Sequence, residues 1–104
     1  MPRHSIIAEV RVDPGRRQDL LDALDPIFDE VEQEHDTLVY AVHVDLDDPG
    51  TVWIYEQYTD REAFDRHQAS AAFEQVVRAI AGFVEPGSVI HQAEVVRAKG
   101  DGPA

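Results

Sequence analysis

The 104-residue chain has no cysteine, one methionine and one tryptophan, and only nine Lys and Arg stand against 21 Asp and Glu. Without cysteine there is no disulfide, no thiolate metal site and no thiol nucleophile, which removes several enzyme classes together. A formal net charge of −12 leaves no basic face for a phosphate backbone, so nucleic acid is excluded as a partner and an anionic membrane surface with it. No apolar run approaches the ~20 residues that span a bilayer. The first residues also lack the charged-then-apolar order of a signal peptide, and a cytoplasmic protein is expected. What is present is an ordinary globular composition, 43% hydrophobic, enough for one domain over residues 1–104 with a real core. That core is expected over about residues 5–97. Loose ends are expected at Met1–His4 and in a flexible tail over 98–104, where Gly100, Asp101, Gly102 and Pro103 cannot continue a strand.

Periodicity divides the chain cleanly. Ile6, Ala8, Val10 and Val12 alternate with Ile7, Glu9 and Arg11, the period of a strand, which stops at Asp13-Pro14-Gly15. Leu20, Leu21, Leu24, Ile27, Phe28 and Val31 then lie on one side of a helix that runs from Arg16 to about Glu34. Pro26 interrupts that pattern and predicts a kink near Asp22. Leu38 to Asp45 reads as a second strand, Asp47-Asp48-Pro49-Gly50 as a turn, and the β-branched and aromatic Thr51 to Tyr58 as a third strand. Thr59 with Glu62 has the form of a capping box. The helix it opens falls out of phase near Ser70, a suitable N-cap for a second piece. Gly82 and Pro86-Gly87 end that piece, and Ser88 to Val96 reads as a fourth strand.

Strand, helix, strand, strand, helix, strand is the split βαβ order of the ferredoxin-like α+β fold, with both helices on one side of a four-stranded antiparallel sheet. The other sheet face would carry Ile7, Val39, Ala41, Trp53, Tyr55 and either Ile90 or His91. An apolar face of that kind predicts a two-fold homodimer with sheets packed face to face.

The chemistry concentrates in residues 51–73. Glu56 and Tyr58 share one face of a strand, and Phe64 and His67 share one stripe of the helix that follows. If helix folds over strand, a carboxylate, a phenol and an imidazole meet beside an aromatic wall, a set suited to holding a flat organic molecule and moving a proton. A lone histidine on an apolar stripe is more often a satisfied core residue than a base. His4, His35, His43 and His91 show no helical metal-ligand spacing, and no glycine loop cradles a phosphate.

Glu34-His35-Asp36-Thr37-Leu38-Val39-Tyr40, the Asp48-Pro49-Gly50 turn and Tyr55-Glu56-Gln57-Tyr58 followed by Asp60, Ala63, Phe64 and His67 together resemble the antibiotic biosynthesis monooxygenase family. That family lies within the dimeric α/β-barrel group. The resemblance covers nearly the whole chain, and the spacing of Glu56, Asp60, Ala63 and His67 is its specific part. It implies a barrel formed by a dimer, and oxidation of a quinol or polyphenolic, polyketide-type aromatic by O2 without flavin, haem or metal. His67, Tyr58 and Glu56 are then the implied catalytic residues, and Tyr40, Phe64, Phe73 and Phe83 the wall that binds a small aromatic substrate. Two departures stand out: Glu34-His35-Asp36 replaces a common Glu-Pro-Gly, and Ala72 falls where many members carry a second histidine. Acid–base work would thus rest on His67 alone. Other uses of the same fold remain open: isomerisation or cyclisation of a small carbonyl or polyketide, haem handling through His67, or a non-catalytic dimer that binds a small molecule.

Overall fold

The computed structural model describes residues 2–100; Met1 and 101–104, assigned above to the loose ends, lie outside the described residues. Strands β1 (His4–Arg11), β2 (Thr37–Val44), β3 (Thr51–Tyr58) and β4 (Val89–Glu94) form one sheet in the order β2-β3-β1-β4, with every pairing antiparallel. Helices α1 (Arg17–Ala23), α2 (Asp25–Gln33), α3 (Arg61–Gln68) and α4 (Ala71–Ile80) complete the ferredoxin-like α+β order. The sheet is not the implied barrel. β2 and β4 are the two ends of an open sheet, and the strands do not close on themselves.

The core lies between the helices and one sheet face, where Ala8, Val52 and Ile54 meet Leu20, Leu24, Ile27 and Val76. Leu20 and Ile27 are buried almost completely, and each contributes roughly 1.5–3 kcal/mol by leaving water. A smaller cluster of Ile6, Tyr58, Ala63 and Phe64 extends this core to the end of the sheet beneath α3. The opposite face carries Ile7, Val39, Ala41, Trp53 and Tyr55, as their alternation requires. Register puts His91 opposite Ile7 on that face and Ile90 opposite Ala8 on the helix side. His4, expected in a loose end, is the first residue of β1 and is buried.

Two local expectations shift by a few residues, for reasons in the backbone. The chain breaks at Leu24, between α1 and α2, so Pro26 stands in the first turn of a new helix. There its missing N–H is not needed and its fixed φ suits the helix, and no kink at Asp22 results. The N-cap of α3 is Asp60, whose Oδ1 accepts from the Ala63 N–H at 2.8 Å. Thr59 instead donates its N–H to the Asp36 carbonyl at 3.0 Å, tying the end of β3 to the turn before β2. Ser70 caps α4 as its position in the sequence suggests, with Oγ accepting from the Phe73 N–H at 3.1 Å.

Candidate active site

The site is built where the end of β3 meets the α3–α4 step. Alternation along β3 points Glu56 and Tyr58 toward the helices, and the Tyr58 hydroxyl donates to Glu56 Oε1 at 2.5 Å. The cap at Asp60 starts α3 so that Phe64 and His67 fall on its inner stripe, both buried. The Tyr58 ring then lies 5.4 Å from Phe64 and 5.5 Å from the imidazole of His67. Ser70 fixes the step that follows: its hydroxyl donates to the His67 carbonyl at 2.7 Å while capping α4. The step brings Phe73 to 5.8 Å from His67, and β2 supplies Tyr40 at 5.6 Å on another side.

An apolar cavity of about 230 Å³ lies between sheet and helices, lined among others by Leu24, Tyr40, Ile54, Glu56, Phe73 and Val76. Glu56 is the one ionisable carboxyl facing this space that is also buried, at 6% exposure. Burial pushes its carboxyl up to about 7, against the pull of the Tyr58 hydrogen bond, and the Glu34 carboxylate adds to the rise. Burial, Glu56 and Glu34 also push the Tyr40 phenol far above its ordinary range, and burial with Glu56 does the same for Tyr58. Both phenols are therefore hydrogen-bond donors, not bases.

His67 stands behind the cavity wall, in ring contact with Tyr40 and Phe73. Its Nδ1 lies 2.9 Å from Glu34 Oε1, and the Thr37 hydroxyl donates to that same oxygen at 2.7 Å. An outer cleft of about 300 Å³ opens on this side, lined by Glu30, Glu34, Thr37, Arg66 and His67 among others. Burial opposes ionisation of Glu34, but hydrogen bonds from Thr37, His67 and Glu30 outweigh it and hold the carboxyl below its ordinary range. Glu30 is pushed the other way by its hydrogen bond with Glu34.

Residues 3–79 match the family model described as antibiotic biosynthesis monooxygenase. The chain belongs to this family. A solved structure described as an antibiotic biosynthesis monooxygenase is 26% identical, with TM-score 0.81 over 90% of this chain and 99% of that one. A candidate antibiotic biosynthesis monooxygenase of Caulobacter crescentus CB15 superposes with TM-score 0.85 at 18% identity, covering 92% of each chain. A conserved protein of Methanosarcina mazei Go1 does so with TM-score 0.82 at 19% identity, over 89% of this chain and 92% of its own. No functionally curated protein matches the chain by sequence.

Against that family background, the structure gathers Glu56, Tyr58, Phe64, His67, Tyr40 and Phe73 into one neighbourhood, and only Tyr40, Glu56 and Phe73 of these line the cavity. Phe64 instead packs between Tyr58 and His4. Phe83 sits apart, beyond the end of α4, with the Arg16 guanidinium 4.3 Å over its ring. Among the described residues no group of three or more His, Cys, Asp or Glu is placed to hold a metal ion. Glu34 as the partner of His67, and Thr37 as the second donor to Glu34, carry no signal in the sequence. Both lie some thirty positions from His67, and no helical or strand period links residues across that distance.

Proposed function

We propose that this family member is a cofactor-independent monooxygenase acting on an electron-rich quinol or polyphenol, with Glu56 taking the first proton. The observation that supports this most is a carboxyl pushed up to about 7 on the wall of an apolar cavity. A phenolic hydroxyl titrates near ~10, so transfer to a carboxylate at about 7 is uphill by ~4 kcal/mol; to an ordinary glutamate near ~4.3 the cost would be ~8 kcal/mol. Burial thus halves the price of making the anion. The anion reduces dioxygen directly. One oxygen atom ends on the ring carbon as a carbonyl, and the other leaves as water with the two hydrogens the substrate gives up. Tyr58 orients Glu56, Tyr40 offers a hydroxyl in the cavity, and Phe73 supplies an aromatic wall. His67 exchanges the proton from behind that wall.

The same reading includes a homodimer through the open sheet face. Ile7 and Val89 are exposed there at 41% and 42%. Trp53 and Tyr55, both only partly buried, lie on the same face.

Oxygen uptake by chelator-treated protein with a panel of quinols and anthrones tests the chemistry. Uptake is expected to rise through about pH 7 and to drop on the order of 100-fold in Glu56→Gln. Uptake that survives Glu56→Gln unchanged would remove Glu56 from the chemistry, and none with any substrate would favour an isomerase or a binding protein.

A further inference from the structure

Glu34 Oε1 receives two groups at once, the Thr37 hydroxyl at 2.7 Å and His67 Nδ1 at 2.9 Å. An ionised carboxylate has acceptor sites only, so both hydrogens must come from the other side. The hydrogen bond from Thr37 favours the ionised state of Glu34. Nδ1 of His67 therefore carries the hydrogen, and the lone pair of the neutral ring is on Nε2. The imidazole side chain is 1% exposed and is surrounded inside by Tyr40, Tyr58 and Phe73. Tyr58 in turn reaches Glu56 through its hydroxyl. The imidazole thus lies between the Tyr40, Tyr58 and Phe73 rings and the outer cleft that it helps to line, with Nδ1 anchored on Glu34.

We propose that Glu34 is the positioning residue of this site: braced by Thr37, it holds His67 as the Nδ1–H tautomer and leaves Nε2 free to exchange a proton. Glu56 takes the first proton; one passed on from it adds to the Nε2 lone pair, while Glu34 stays 2.9 Å from Nδ1, until that proton returns for the departing oxygen. Nδ1 keeps its own hydrogen throughout the exchange. The arrangement also explains how one histidine serves where Ala72 leaves no second one. Its orientation comes from a carboxylate on another element. This assignment rests on the monooxygenase reading for its chemistry, but its geometry is measured without turnover.

The test reads the ring nitrogens of ¹⁵N-histidine-labelled protein by long-range NMR, with His67→Gln identifying the His67 signals among the five histidines. At about pH 8, above the ordinary imidazole range, the resting protein is expected to show His67 protonated at Nδ1 and bare at Nε2. Glu34→Ala is expected to lose that preference, and Thr37→Val to weaken it. The Nε2–H tautomer in the unmodified protein would overturn the proposal, and this needs no variant to fold. So would an unchanged Nδ1–H signal in folded Glu34→Ala. Where a substrate is turned over, Glu34→Ala should lower kcat on the order of 10- to 100-fold with KM nearly unchanged, and Glu34→Asp should recover part of it. An unaltered kcat would reject the positioning role. If no phenol is oxidised, a tautomer that depends on Glu34 still supports the positioning role while the oxygenase reading falls.

Discussion

Glu56 shows how one buried side chain couples folding to pH. Its folded carboxyl titrates at about 7 against an ordinary 4.5, so between these values the folded protein keeps a proton that the unfolded chain releases. Stability is therefore full below about pH 4.5 and falls as pH rises through 7, by up to ~3 kcal/mol in total. Glu30, also raised, acts in the same direction. Glu34, lowered, acts at more acid pH, where its contribution is lost as pH falls. Denaturant unfolding between about pH 5 and pH 8 should show this decline, and Glu56→Gln should flatten it while keeping an acceptor for the Tyr58 hydroxyl. A slope unaltered by Glu56→Gln would mean that Glu56 is not the titrating group. The site spends stability at neutral pH on a carboxylate that burial has made basic.

Among the elements, the α3–α4 step carries the most consequence, because it sets where His67 and Phe73 point relative to each other. Ser70 holds it with one hydroxyl, which donates to the His67 carbonyl and accepts from the Phe73 N–H. Ser70→Ala should cost about 1 kcal/mol of folding stability, read by urea unfolding. Ser70→Asp, which can still accept from Phe73, should recover much of that loss. Equal stability in serine and alanine forms would show that the step does not depend on its cap. This element was legible from the chain alone, since the apolar stripe of residues 61–80 falls out of phase beside a capping residue. The break at Leu24 was less so. Pro26 announces an interruption, but whether the chain bends four residues before it or restarts a helix around it depends on how Leu20, Leu24 and Ile27 reach the sheet. In the same way, Thr59 and Asp60 are both capping residues, and tertiary contact decides between them by taking the Thr59 N–H for the Asp36 carbonyl.

For the whole molecule, alternation and amphipathic spacing carried the α+β order and both sheet faces, because each is a property of neighbours along the chain. Closure is not such a property, and the sheet here is open between β2 and β4. Nor is the pairing of His67 with Glu34, which needs α3 laid against the turn between α2 and β2. The aromatic positions behaved similarly: Tyr40 and Phe73 reach the cavity, while Phe83 lies under Arg16 at the far end of α4. The proposed homodimer makes a prediction at this scale. Sedimentation should find two copies associated at micromolar concentration, and Ile7→Asp, at a position outside the core, should yield a folded monomer; a monomeric wild type would end that proposal. The one tryptophan of the chain belongs to this same face, its indole N–H donating to the Asp45 carboxylate at 2.8 Å. Fluorescence excited selectively in tryptophan consequently has a single emitter, on the side of the sheet away from the cavity, and its colour and quenching report what covers that face.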